Sequence, residues 1–201
     1  MARATGTKRA ILDATLQLAA TKGISGTTMD EVAERAGVAK GSLYYNFSSK
    51  DKLFEELLQE GVGALAETLR QSSVGLHGSA ALEALVHALL EGIAANTALS
   101  KLMAAEIFRT DRTWQKTLFA LRHEALAVFA EAIAEAKPEL RADATCGLMA
   151  SSVFGAVLMG GLEWLVFEPE RPRDEVAAAI LESLSGGRFG EERPGPREDR
   201  V

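Results

Sequence analysis

The chain has 201 residues, a formal net charge of −6 and 47% hydrophobic residues. That content is ample for a packed core and excludes a wholly disordered chain, while a single cysteine, Cys146, excludes an intrachain disulfide framework. No apolar stretch near the N-terminus has the form of a secretory signal, so the expected compartment is the cytoplasm.

Apolar residues recur at helical spacing, and no period-two run of β-branched residues exceeds a few positions, so the expected class is all-α. A first helix is predicted over 8–22, ending at Gly23. Thr28 then opens a second helix: its hydroxyl can accept a backbone N–H, and Glu31, three residues on, can complete a capping box. Met29, Val32, Ala33 and Ala36 make the apolar stripe, and Gly37 stands where a left-handed residue ends a helix. Val38, Leu43 and Phe47 give a third, short helix its inner face. The opposite face carries Lys40, Gly41, Ser42, Tyr44, Tyr45 and Asn46. Such a face suits the major groove of DNA. Lys40 and Ser42 would reach base edges or phosphates, Gly41 allows close backbone approach, and Tyr44, Tyr45 and Lys50 would fix register on the phosphates. On spacing alone, an ordinary helical hairpin fits this segment equally well.

A long fourth helix is predicted over 50–72. It contains Gly61 and Gly63, each costing roughly 1 kcal/mol against Ala in a helix interior. A bend at Gly61–Val62–Gly63 and a close helix crossing there are equal expectations. Further helices are predicted over 79–96, 99–110, 112–136 (before Pro138), 142–167 (before Pro169 and Pro172) and 174–184, closed by Gly186 and Gly187. Residues 188–201 are rich in Pro, Gly and charge and are expected to be disordered. The longest apolar stretch, 148–167, is interrupted by Ser151, Ser152, glycines and Glu163, and reads as a buried interface helix rather than a membrane span.

Gly147, Ser151 and Gly155 share a face at four-residue spacing, roughly continued by Gly160 or Gly161. With Ile180 and Leu184 they form a candidate dimer surface, the interior of a single chain being the other reading. Charge is uneven: residues 1–54 carry +3 and the remainder −9. A basic head on an acidic body can orient a protein toward phosphate. The three histidines, His77, His87 and His123, form no metal-ligand pattern, and neither a phosphate loop nor a nucleophile elbow occurs. No catalytic residue, metal or cofactor is therefore expected.

The stretch RAILDATLQLAATKGISGTTMDEVAERAGVAKGSLYYNFSSKDKLF resembles the DNA-binding domain of the TetR family of transcriptional regulators. The resemblance runs through Ile11, Ala14, Leu18, Gly23, Thr28, Val32, Ala33, Gly37, Val38, Leu43, Tyr44, Phe47, Lys50 and Leu53. It implies a three-helix DNA-binding head over 5–65, with its helix-turn-helix motif at 28–47, and a larger helical ligand-binding and dimerisation domain over 66–187. By the same resemblance the third helix reads DNA; the candidate DNA-binding residues of the head are Thr28, Lys40, Gly41, Ser42, Tyr44, Tyr45, Asn46 and Lys50. Two copies would pair through four helices and engage a palindromic double-stranded operator. Four positions depart from the family pattern: Ala19 and Ile24 replace aromatics, Ala39 replaces a capping Ser, and Asn46 replaces a His. They blur any inference about the operator sequence.

A pocket enclosed by helices 4 to 8 is expected. Its candidate lining is Met103, Phe108, Arg109, Trp114, Met149 and Phe154, with His87, Glu91 and Glu106 as polar contacts. The implied function is a prokaryotic, cytoplasmic, homodimeric repressor released from its operator by a small hydrophobic inducer, with no enzymatic activity and no membrane association. An interaction protein that uses the same fold to bind a protein partner is the alternative.

Overall fold

The computed structural model describes residues 2–106, 109, 113–140 and 145–185. Every regular element among them is helical: α1 (Ala2–Gly26), α2 (Met29–Ala36), α3 (Lys40–Asn46), α4 (Lys50–Ser72), α5 (Gly78–Ala95), α6 (Thr97–Glu106), α7 (Gln115–Ala136), α8 (Thr145–Phe167) and α9 (Arg173–Leu184), with a 3-10 turn at Pro138–Leu140. The closing glycines at 186–187 and the tail over 188–201 lie outside the described residues.

Local chemistry sets the ends of the first four helices. Gly23 adopts φ 71°, ψ 166°, which breaks the helical path inside α1 at the position where the first helix was expected to stop. Thr28 caps α2 by accepting the Glu31 N–H, and the Glu31 carboxylate accepts the Thr28 N–H in return. Gly37 ends α2 in the left-handed conformation, and the Val38 N–H donates back to the Ala33 carbonyl at 3.0 Å. α3 starts at Ala39 with no side-chain cap, whereas Ser49 caps α4 by accepting the Lys52 N–H.

Two apolar clusters organise the molecule. The head cluster joins Ile11, Leu12 and Leu18 of α1 to Val32, Leu43, Phe47 and the first half of α4. It also takes in Leu102 of α6 and Trp114, whose ring lies 5.9 Å from that of Phe54. The body cluster joins the second half of α4 to α5, α7, α8 and α9, with Phe129 and Phe154 packed edge to face at 6.1 Å. α4 therefore belongs to both clusters.

By length and apolar composition, α5 and α8 could each cross a membrane. The fold uses both as core helices of the body. Close approach is built into α8: a Cβ on Gly161 would meet Ile93 and Leu90 of α5 at 3.0 and 3.1 Å, and one on Gly160 would meet Ile180 of α9 at 3.1 Å. Those glycines serve packing within one chain rather than the dimer face on which spacing had placed them. Ile180 is corrected in the same way. It is buried in the body cluster, because the face of α9 that packs on α8 includes Val176, Ala177 and Ile180.

The choice left open at Gly61 and Gly63 is also resolved in part. α4 runs unbroken from Lys50 to Ser72, and the Leu99 side chain of α6 abuts it at Gly61. A Cβ there would lie 2.5 Å from Leu99 Cδ2, whereas one on Gly63 would meet nothing within 4 Å.

Candidate nucleic-acid interface and internal cavity

α3 is held from beneath and open above. Leu43 and Phe47 are buried in the head cluster and fix the rotation of the helix. That rotation leaves Lys40, Gly41, Tyr44 and Tyr45 exposed, with Tyr45 at 90%. A Cβ on Gly41 would meet nothing within 4 Å, so this part of the face is flat backbone. Asn46 turns inward to donate to the Ser42 carbonyl at 2.8 Å, and both residues are half-buried. Thr28 is committed to its cap: the hydroxyl accepts the Glu31 N–H and donates to the Glu31 carboxylate at 2.9 Å. Lys50 donates to the Ser25 carbonyl at 3.1 Å.

Much of the head's positive charge is paired with carboxylates. Lys8 pairs with Glu56, Arg9 with Asp13, Lys22 with Glu31, Lys40 with Asp30 and Lys52 with Glu55. The Lys40–Asp30 pair, at 2.7 Å, links the first turns of α3 and α2. The carboxylate of Asp30 holds the Lys40 ammonium above its ordinary range. Glu31 is driven the other way, to a pKa of about 2, by the hydrogen bond from Lys22 and those from Thr28. An anion arriving at this face has to displace or share Asp30 to reach Lys40.

A cavity of about 290 Å³ lies between α1, α4, α5, α6, α7 and α8. Its walls are mainly apolar, with Leu57, Leu65, Leu89, Ile93 and Leu158 among them, and a Cβ on Gly92 would meet the Leu65 side chain at 3.0 Å. Met103 and Phe154 line it. Phe108 lies outside the described residues.

The other expected lining residues sit elsewhere. Trp114 is 3% exposed in the head cluster, where Phe54 gives it an aromatic neighbour. Met149 packs on the body cluster, and Arg109 is exposed beside Glu106. His87 and Glu91 face α9 instead, with Asp174 at 3.8 Å and Arg173 at 3.5 Å respectively.

Sequence reasoning missed the α1 wall, formed by Arg9, Leu12, Asp13 and Leu16, and missed Arg122 of α7. Arg122 is half-buried and donates from Nη2 to Ser151 Oγ at 3.1 Å. The Ser151 hydroxyl in turn donates to the Gly147 carbonyl at 2.9 Å. Ser151, expected at the dimer surface, thus orients a cavity arginine.

The outer face of α8 and α9 is apolar and open. Leu148 and Phe167 are each 70% exposed and Met159 62%, and Leu184 of α9 is also exposed. Gly147 is exposed and Gly155 half-buried, and a Cβ on either would meet nothing within 4 Å.

Residues 11–57 match the family of bacterial regulatory proteins, tetR family. The chain is 36% identical over 92 residues to the HTH-type transcriptional repressor KstR2 of Rhodococcus jostii (strain RHA1), a match spanning 45% of each protein and so less than half of that relative's length. Two solved structures share the fold nearly end to end. A Clostridium perfringens protein described as a fatty acid metabolism regulator superposes with a TM-score of 0.77 at 28% identity, covering 89% of this chain and 97% of its own. FadR of Bacillus subtilis in complex with stearoyl-CoA superposes with a TM-score of 0.74, covering 89% and 98%, and at 18% identity that likeness is one of fold alone. The head, matched at 11–57, is similar to the tetR family of bacterial regulatory proteins, and the fold over both clusters is similar to that of a solved regulator.

Proposed function

We propose that this protein is a ligand-responsive, DNA-binding transcriptional regulator of the prokaryotic cytoplasm, a repressor released from its operator by a small, largely apolar molecule. The observation that carries the reading is the α3 face: Lys40, Gly41, Tyr44 and Tyr45 stand exposed on a helix anchored by Leu43 and Phe47. A short helix fixed from below and polar-aromatic above is built to lie in a major groove, where phosphate contacts set register and base-edge contacts set sequence.

The exposed apolar face of α8 and α9 supports pairing of two copies, since contiguous exposed apolar surface marks an interaction site. Two heads roughly 34–36 Å apart would meet successive major-groove faces of a palindromic site. The apolar cavity supports an apolar inducer, and the relatives described by fatty acid regulation and by bound stearoyl-CoA agree with that class. An inducer acts through its differential affinity for DNA-competent and DNA-incompetent states.

Selection of bound duplexes from a random library tests the reading. The expected result is a palindromic half-site pair bound by the wild type. Tyr45→Ala should weaken binding to all sequences, and Lys40→Ala should lower the slope of log K against log salt by about 0.9 for each head that loses its phosphate contact. Enrichment of no sequence, with both variants binding as wild type does, would favour a protein-binding module on the same fold.

A further inference from the structure

We infer that the cavity takes an amphipathic anion, a medium-chain carboxylate, whose head group is held by Arg122. The inference rests on the reading of this cavity as the inducer site. Four charged residues line it: Arg9, Asp13, Glu60 and Arg122. The first three are exposed, and Arg9 and Asp13 pair with each other at 3.0 Å. Arg122 differs on both counts. It is half-buried, and among the described residues it has no carboxylate within ion-pair distance. Its contact is the Ser151 hydroxyl, which takes one of five guanidinium donors.

A cation drawn partly out of water, oriented by a neutral hydroxyl and set in a wall with Ala125 and Phe154, has no counter-ion among the described residues, and a ligand can supply one. The remaining lining suits an alkyl chain. At about 30 Å³ per water-sized group, 290 Å³ holds about ten such groups, the size of a medium-chain acid. The proton of the acid is lost to solvent, and the carboxylate enters as the anion.

Isothermal titration of the full chain with decanoate, decanol and decylamine, each below its micellar concentration, tests the assignment. Decanoate is expected to bind at least tenfold tighter than decanol, in keeping with a charge-assisted hydrogen bond. Arg122→Gln should erase that preference and leave decanol affinity within about twofold, as expected where only the anion's contact is lost. Arg122→Lys should retain part of it, because the charge stays and the planar fork is lost. Ser151→Ala, which leaves the arginine in place but unaligned, should weaken decanoate alone.

Ala64→Phe, an exposed position on the cavity rim, should block all binding and so locates it. Equal affinity for decanoate and decanol, both blocked by Ala64→Phe, would overturn the anion assignment and leave the inducer site standing. Tightest binding of decylamine would overturn it in favour of Glu60. No binding by any probe, or binding indifferent to Ala64→Phe, would overturn the inference together with the cavity reading. Should Arg122→Gln fail to fold, Ser151→Ala and Arg122→Lys decide the same question.

Discussion

Gly61 and Gly63 offer a controlled comparison, because the same substitution two residues apart on one helix meets opposite surroundings. Gly63→Ala adds a methyl to open space, so it should deliver the helix-propensity gain of about 1 kcal/mol. For a chain of this size that raises the midpoint of thermal unfolding by roughly 2–4 °C. Gly61→Ala carries the same gain but places Cβ 2.5 Å from Leu99 Cδ2 and 3.2 Å from Cδ1. Overpacking of that kind costs about 1–3 kcal/mol. Leu99 is nearly buried, and the free volume open to it is the cavity, which its side chain also lines. The net effect of Gly61→Ala should therefore run from neutral to about 2 kcal/mol destabilising once the propensity gain is subtracted.

Circular-dichroism melts of both variants, repeated on a Leu99→Ala background, read the coupling directly, because the cost of Leu99→Ala cancels in the cycle. The two alanines should differ by about 1–3 kcal/mol in the wild-type background, and by less than about 0.5 kcal/mol once Leu99 is truncated. Equal shifts for the two variants, or a difference that survives Leu99→Ala, would refute the account in which the Leu99 side chain occupies the space at Gly61.

Ala39→Ser should supply the missing cap of α3, whose backbone is already extended at φ −64°, ψ 143°, and add about 1 kcal/mol, visible as a higher melting midpoint. Glu31 makes stability pH-dependent on the acid side. Its pKa falls from 4.5 unfolded to about 2 folded, so its contribution is complete above 4.5 and is lost as pH drops through the window down to about 2. Glu31→Gln should accordingly show a shallower loss of melting midpoint than wild type across that window, and parallel curves would count against the assignment. Met159→Glu, on the exposed face of α8, should leave the melting cooperativity of the protomer intact and shift its sedimentation toward the monomer.

The head was legible because its devices are local. Thr28, Glu31, Gly37 and Ser49 act on backbone within a turn of themselves, and the apolar stripe of α3 fixes which side faces out. The body was legible in outline only. Helical period shows that Val176, Ala177 and Ile180 share a face, but not whether a second copy or α8 covers it. Trp114 was misplaced for the same reason: an apolar residue next to a run of polar residues in the sequence fits a cavity mouth as well as it fits a seat against Phe54. Arg122 carried no signal at all, since what distinguishes it is the lack, among the described residues, of an acid partner in space. Leu12 and Leu16 pack in or against the head cluster, and helical spacing carries no sign of their second surface on the cavity.

That second surface bears on how a ligand could reach the DNA face. A boundary near residue 65 falls inside α4, whose first half packs in the head cluster and second half in the body cluster. Leu102 and Trp114, which follow that boundary in the chain, are buried among head residues. The head is therefore not hung from the body by one helix: it shares a core with α6 and with the start of α7. Under the proposed function, a ligand in the cavity touches α1 through Leu12 and Leu16, and touches α6 through Leu99 and Met103. A filled cavity thus acts on the head at its own core helix and at the helix packed beneath it. An unbroken α4, locked against Leu99 at Gly61, is suited to transmit that displacement as a rigid element rather than to absorb it by bending.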